Sequence, residues 1–582
     1  MQYPTIPLAQ TLILLFKAKE IQHIVISPGS RNAPATIGFT QDRFFKCYSI
    51  VDERCAAFFA LGIAQQINKP VAVVCTSGSA LLNYYPAVSE AFFSNIPLVV
   101  LSADRPAYLV GIGDGQTINQ RDVYKNHVIY TANLKAQQDL ELAAETTSTS
   151  GSTDHLASLD SEMDALQKQN EIEINNALNA AISKGGPVHI NAPFHEPLYH
   201  LTDTLAVNPQ IIPPFKQSGA ISLSKINDHL NIWNKATRKM ILVGVNPPNS
   251  IEQQWLNQLA ADPSVIVFTE TTSNIHHPAF FNSIDTIIAS LNDADFKALQ
   301  PEVLLTFGGL IVSKKIKAFL RNYKPKTHWH VDLHQANNTF FCLQTHFKTT
   351  PNQFFKTFLP ETKKSVASSY QRYWQDVKTH RLQRHDLYLK EIGFSDFIAF
   401  HTISKSLPTN SILHLGNSST IRYSQLFKIA PEIPVYCNRG TSGIDGSTST
   451  ALGGAVVQDK QTVFITGDLS FFYDSNALWN NYIPSNFRIL IINNQGGGIF
   501  RILPGHKNSE NFDNFFETTH NHTAKQLAEM YNFQYQTAHT NKELVTVLQD
   551  FYEASDKPKI LEIFTPRTDN DKILLDYFKF VS

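Results

Sequence analysis

This 582-residue sequence predicts an α/β protein of three consecutive, doubly wound parallel-sheet domains. Two patterns carry that expectation. Short apolar runs that read as buried strands, such as His23 to Ile26, Val71 to Cys75 and Ile489 to Ile492, alternate with helical stretches. Most of these runs end in a polar or glycine-bearing loop, where open parallel sheets bind their ligands.

The first domain takes residues 1–199. A helix over about Pro7 to Lys19 leads to the strand His23–Ile26 and then to the turn Ser27-Pro28-Gly29-Ser30-Arg31-Asn32-Ala33-Pro34. A strand around Phe45 to Ile50 follows. Val51-Asp52-Glu53-Arg54 then enters a small-residue helix, Cys55 to Gln66. Val71 to Cys75 ends in Thr76-Ser77-Gly78-Ser79, Pro97 to Leu101 ends in Ser102-Ala103-Asp104-Arg105-Pro106, and Val188 to Ile190 closes the set. Residues 139–170 are rich in Glu, Thr, Ser, Ala and Asp and lack aromatics, which reads as a polar surface excursion with helix over Ser161 to Ala180. Pro209, Pro213 and Pro214 mark a linker. A second α/β domain, 215–362, has strands near Met240–Gly244, Val265–Phe268, Val303–Gly308 and His328–Val331. A polar helical connector, Ser365 to Leu389, leads to the third domain, 385–582.

Composition narrows the function classes. A net charge of −1 gives no electrostatic case for nucleic acid or a charged membrane surface. The five cysteines are scattered without a C-x-x-C pair, so neither a disulfide framework nor a zinc site is indicated. The apolar core near the N-terminus, Leu12 to Phe16, is too short for a signal peptide, and no segment approaches about 18 unbroken apolar residues. A cytoplasmic protein is the expectation.

The third domain carries the strongest chemical signal, Gly467 to Phe500. An apolar run, Val463 to Ile465, ends in Gly467-Asp468, and a second, Ile489 to Ile492, ends in Asn493-Asn494-Gln495-Gly496-Gly497-Gly498. A helix is expected between them over Asp474 to Tyr482. An Asp carboxylate and an Asn amide oxygen at adjacent strand ends suit Mg²⁺, which takes hard oxygen donors together with phosphate oxygens. Glycines after Asn494 let the backbone approach a diphosphate. Gly-Asp by itself also fits an ordinary strand, turn and capped helix; the pairing of the two strand ends favours the metal site.

Gly467-Asp468-Leu469-Ser470, followed by Tyr473-Asp474 and Asn476-Ala477-Leu478, resembles the metal-diphosphate motif of thiamine diphosphate (ThDP) enzymes. Leu469 stands where the commonest form has glycine, and that departure is similar to one branch, the SEPHCHC synthases (2-succinyl-5-enolpyruvyl-6-hydroxy-3-cyclohexene-1-carboxylate synthases) of menaquinone biosynthesis. The resemblance covers the chain apart from 139–170. It implies a pyrimidine-binding first domain, a central domain and a diphosphate-binding third domain. It also implies a transferase of the transketolase/transaldolase class, with ThDP and Mg²⁺ or Mn²⁺ as cofactors. The implied reaction is decarboxylation of 2-oxoglutarate and 1,4-addition of the succinyl unit to isochorismate.

Residue by residue, the resemblance implies that Glu53 bonds the aminopyrimidine ring and is the catalytic acid-base group. Asp468, Asn494 and the Gly496 carbonyl would ligate the metal, with Ser442, Ile444, Leu469, Ser470, Ile499 and Phe500 around the cofactor. Ser30, Arg31, Arg105, Gln116, Lys314, Lys315, Ser418, Arg422 and Arg439 would face substrate, the choice between Lys314 and Lys315 staying open. Four carboxylates on the two substrates make sense of so many arginines, the side chain suited to bidentate carboxylate binding. A homodimer or dimer of dimers, with the first domain of one chain and the third of its neighbour sharing a site, is implied as well. Another ThDP carboligase or decarboxylase, of the acetohydroxyacid synthase kind, and a non-catalytic ThDP-binding protein are the alternatives. His276-His277 is similar to the paired histidines of pyruvate decarboxylases, but it lies in the second domain beside Pro278 and reads as a loop.

Overall fold

Three parallel sheets follow one another along the chain in a computed structural model that describes residues 2–137, 153–215, 219, 221, 226–363, 366–502 and 509–582. In spatial order, the first has strands Lys46–Ser49, His23–Ile26, Val71–Cys75, Leu98–Asp104, Val188–Pro193 and Tyr130–Asn133. The second has Val265–Phe268, Lys239–Val243, Val303–Phe307, Thr327–Val331 and Leu343–Phe347. The third has Val435–Tyr436, Ser411–Leu415, Gln461–Gly467, Phe487–Asn493, Lys559–Phe564 and Gln534–Ala538. Central strands such as Val71–Cys75 and Ile489 to Ile492 are apolar along their length because helices cover both faces.

Numbered within each sheet, the first and third share the strand order 2-1-3-4-6-5. This repeat is invisible in the sequence. Both sheets reverse direction between their first and third strands, the crevice where open α/β sheets bind ligands. A glycine at the end of the first strand makes the crevice tight. A Cβ on Gly29 would stand 2.3 Å from Thr76 Cβ, and one on Gly416 2.9 Å from Thr466 Oγ1.

The chain forms two compact units. One contains Met1–Gln217, Gly440–Asp459 and Asp474–Pro484, and the other Ser218–Arg439, Lys460–Tyr473 and Ser485–Ser582. In the first unit the helix Glu53–Ile67, capped by Asp52 accepting Cys55 N–H at 3.1 Å, packs on the helix Ser447–Ala455. The two backbones approach so closely that a Cβ on Gly62 would meet Thr450 O at 2.0 Å, and one on Gly453 would meet Phe59 O at 1.9 Å.

The helix expected over Asp474 to Tyr482 is not formed. Helix runs over Asp468–Tyr473, followed by a 3₁₀ turn, Ser475–Leu478. Asp474 is instead turned to accept Ser449 N–H at 2.8 Å and Ser449 Oγ at 3.0 Å at the start of the Ser447–Ala455 helix. Asn476 donates to Asp52 at 2.9 Å. These side chains serve neighbouring backbone rather than a helix of their own, the usual competition at Asp and Asn.

Two edge strands, Tyr130–Asn133 and Leu343–Phe347, were not anticipated, since their part-exposed, polar sequences make no apolar run. The 139–170 excursion lies partly outside the described residues; its later part belongs to a long helix, Thr153–Lys184. Among the described residues no cysteine forms a disulfide, and no helix is long and apolar enough to cross a membrane.

Candidate active site

In both the first and third sheets, loops that leave successive strands carry the predicted site residues. After the first, second and fourth strands of the first sheet come, in order, Ser30-Arg31, Glu53 and Arg105. After the first four strands of the third come Ser418 and Arg422, Arg439, Asp468, and Asn494.

In the first unit, Glu53 opens its helix beside the capping Asp52, and its Oε2 accepts Asn83 Nδ2 at 3.2 Å. That contact holds the carboxylate, and Oε1 has no hydrogen-bond partner among the described residues. Arg31 donates to Phe194 O at 2.9 Å and lies 3.2 Å from Glu196, with its pKa lowered by burial and then by the charge of Arg105. Arg105 is held by Ser77 Oγ and Gly115 O, each at 3.1 Å, and by Asp114 at 3.4 Å. Ser77 Oγ donates to Gln116 O at 3.0 Å, and Gln116 takes a left-handed φ of 55°. Arg31, Arg105 and Gln116 are therefore brought together, while Ser30 is exposed beside Arg31.

The same unit holds Ser442 and Ile444. Sequence reasoning missed their anchor, Glu90, a buried carboxylate that accepts Gly440 and Thr441 N–H, both at 2.7 Å, and Thr441 Oγ1 at 2.9 Å. A glutamate inside a helical stretch gives no signal for that role. Ile444 remains 36% exposed, an apolar side chain available for contact.

In the second unit, Asp468 is buried at the end of its strand. Its Oδ1 accepts Leu469 N–H at 2.7 Å and its Oδ2 accepts Gly496 N–H at 3.0 Å, so Asp468 and Gly496 are neighbours. Asn494 donates Nδ2 to Asp396 Oδ2 at 3.0 Å, and its carbonyl oxygen has no hydrogen-bond partner among the described residues. Gly496 has φ 151°, and a Cβ there would stand 2.7 Å from Glu517 O. One carboxylate, one oriented amide oxygen and a side-chain-free backbone loop are a donor set suited to a hard divalent ion that shares a diphosphate. Among the described residues no three His, Cys, Asp or Glu side chains form a self-sufficient metal cage. Ser470 is buried two residues beyond Asp468, and Ile499 and Phe500 open the short helix after the glycines. His520, also unforeseen, places Nε2 3.3 Å from Asp468 Oδ2.

The basic residues of this unit cluster too. Arg439 donates to Asn417 Oδ1 at 2.8 Å. Arg422 is pushed down in pKa by burial and by Arg439, and its buried Nε has no hydrogen-bond partner among the described residues. Ser418, with φ 62°, starts the helix that carries Arg422. Lys314 is exposed at the start of the helix Lys314–Asn322, and Lys315 lies 4.8 Å over the Phe578 ring. Lys317 on that helix is lowered in pKa by burial, with Arg439 and Arg422 among the charges that add to it. The nearby Glu270 is buried, pushed up to about 7, and already accepts Val312 and Ser313 N–H. The cations thus outnumber the available acids, an arrangement that favours an anionic ligand. His277, by contrast, accepts Ala279 N–H at 3.1 Å in a loop, as its sequence context suggested.

Comparison with known proteins agrees with these features. Residues 6–126 match the family model "Thiamine pyrophosphate enzyme, N-terminal TPP binding domain", 213–415 "Middle domain of thiamine pyrophosphate", and 416–563 "Thiamine pyrophosphate enzyme, C-terminal TPP binding domain". The chain is 56% identical over 587 residues to a 2-succinyl-5-enolpyruvyl-6-hydroxy-3-cyclohexene-1-carboxylate synthase of Christiangramia forsetii, covering 100% of both chains. It is 54% identical to the protein of that name in Flavobacterium johnsoniae, again over 100% of both. With that of Porphyromonas gingivalis it shares 37% identity over 98% of this chain and 96% of the relative.

Proposed function

The chain belongs to the thiamine pyrophosphate enzymes and, within them, to the family of 2-succinyl-5-enolpyruvyl-6-hydroxy-3-cyclohexene-1-carboxylate synthases, and on that premise we propose that it joins a succinyl unit from 2-oxoglutarate to isochorismate with loss of CO₂. This is a step of menaquinone biosynthesis, carried out by a transferase of the transketolase/transaldolase class in the cytoplasm. The identity that runs the whole length of both chains supports the reading most.

Asp468, Asn494 and the Gly496 carbonyl would hold Mg²⁺, with Leu469 and Ser470 lining the same loop. Ser442, Ile444, Ile499 and Phe500 would contact the cofactor. ThDP, when bound, would supply an acidic thiazolium carbon, the nucleophile and electron sink that decarboxylation of a 2-oxo acid requires. Glu53 would hold a proton for the aminopyrimidine ring, Asn83 keeping the carboxylate in place. In the first unit Ser30, Arg31, Arg105 and Gln116 would bind carboxylate and hydroxyl groups of substrate. In the second, Ser418, Arg422, Arg439 and a lysine of the Lys314–Asn322 helix would do so, Lys317 now standing beside Lys314 and Lys315 as a choice. Charge-assisted, bidentate contacts of this kind orient the acceptor for addition rather than simple protonation.

The division into pyrimidine-binding (1–199), central (215–362) and diphosphate-binding (385–582) domains is part of the proposal. So is a two-fold dimer, alone or paired, in which Glu53 of one copy and Asp468 of another serve one site. Isochorismate consumption that requires 2-oxoglutarate, ThDP and Mg²⁺ together, and is lost in Glu53→Gln, is the expected result. Turnover of pyruvate with isochorismate untouched would contradict it. Mixing inactive Glu53→Ala and Asp468→Ala proteins should restore part of the activity, and a strictly monomeric active enzyme would overturn the shared site.

A further inference from the structure

Residues after Phe512 form a strap across the glycine loop. Gly497 N–H donates to Glu517 O at 2.6 Å, and His520 N–H to Gln495 O at 3.3 Å, so the strap holds the loop at both ends. The backbone is left-handed on each side of the crossing, φ 65° at Gln495 and φ 52° at Thr518. A β-branched residue is unfavourable there and persists only where its surroundings impose it.

Those surroundings are a closed ionic network. The Glu517 side chain, 1% exposed, binds the Arg501 guanidinium through both oxygens and Arg567 Nη1 at 2.7 Å. Asp513 completes it, 3.6 Å from Arg501 and 3.5 Å from Arg567. Arg501 follows the glycine loop, Asp513 and Glu517 lie on the strap, and Arg567 follows the strand Lys559–Phe564. Three segments are thereby tied at one buried carboxylate. Such a buried network adds little net stability over apolar packing, yet removing one member leaves an uncompensated charge. Its worth lies in what it positions.

We propose that the Arg501–Glu517–Arg567 network positions the Gly496–Gly498 backbone to receive the metal and diphosphate, with Glu517 and Arg567 acting through Gly496 rather than on substrate. The inference rests on the reading of Gly496 as a metal ligand. Calorimetric titration of the full-length protein with ThDP in excess Mg²⁺ tests it, run on wild type, Arg567→Met and Arg567→Lys, with apo melting temperature and kcat at saturating cofactor alongside. Arg567→Met should weaken binding about 10- to 100-fold, as loss of groups that orient ligands does, with kcat at saturation within about twofold and partial recovery in Arg567→Lys. A lowered melting temperature with unchanged affinity would assign the network a purely structural role and overturn the proposal. If Arg567→Met does not fold, wild-type affinity in Arg567→Lys overturns it equally. Absence of binding in wild type would remove the cofactor reading itself, and this inference with it.

Discussion

Asn494 is held by Asp396: its Nδ2 donates to Asp396 Oδ2 at 3.0 Å, and Thr565 Oγ1 donates to the other carboxylate oxygen at 2.6 Å. Asp396 N–H is itself fixed by Asn570 Oδ1 at 2.8 Å. A buried carboxylate thus decides which way the Asn494 amide faces. Asp396→Ala frees that amide to turn, and the Mg²⁺ concentration for half-maximal ThDP binding should rise about tenfold or more. A Mg²⁺ titration at fixed ThDP reads this directly, and an unchanged midpoint would remove Asp396 from the account.

Glu53 and the metal groups should separate in their effects. Glu53→Gln keeps the shape of the side chain and its bond to Asn83 but removes the proton exchange, so turnover should fall at least about 100-fold while ThDP still binds. Asp468→Ala should lose binding itself. Equal loss of binding in both variants would contradict the assigned roles.

The Glu53 helix depends on a backbone contact that only glycine allows. Gly62→Ala would place a methyl 2.0 Å from Thr450 O, against backbone that cannot step aside. A destabilisation of about 1–3 kcal/mol is expected from overpacking, read as a lower urea midpoint. The surface change Gly393→Ala, with nothing within 4 Å of the new methyl, is the control and should leave the midpoint nearly unchanged.

Acid should weaken the central sheet through its histidines. Thr306 Oγ1 sits between His328 Nε2 at 2.9 Å and His330 Nδ1 at 2.8 Å. Burial lowers both imidazoles from 6.5 to about 4. Between those values only the unfolded chain binds the proton, so their contribution is complete above 6.5 and is lost as pH falls toward 4, by at most about 3 kcal/mol each. Glu270 acts in the opposite sense: raised from 4.5 to about 7, its contribution is present below 4.5 and lost as pH rises through 7. Comparing urea midpoints of wild type and His328→Gln at neutral and mildly acid pH isolates the histidine. The variant should lose less stability on acidification, and parallel losses would contradict the assignment.

The repeating apolar runs made the α/β class legible, because a strand buried on both faces has to be apolar throughout, as Val71 to Cys75 is. Edge strands such as Tyr130–Asn133 carry no such requirement and were not legible. The loop motifs around Asp468 and Asn494 were readable since their chemistry resides in consecutive residues. Asp396, Glu90 and Glu517 were not, because each acts on a segment far along the chain, Glu90 on Gly440 for example. Helix propensity misplaced the Asp474–Tyr482 helix for a related reason: Asp474 and Asn476 are committed to Ser449 and Asp52, partners that only the fold reveals.

The most direct measurement is the product formed from 2-oxoglutarate labelled with ¹³C at its C1 carboxyl, incubated with isochorismate, ThDP, Mg²⁺ and the protein, and analysed by mass spectrometry. The account predicts that the label leaves as CO₂ while an adduct of isochorismate and an unlabelled succinyl unit accumulates, and that neither occurs with Glu53→Gln. Labelled CO₂ without any adduct, or an adduct that retains the label, would contradict it.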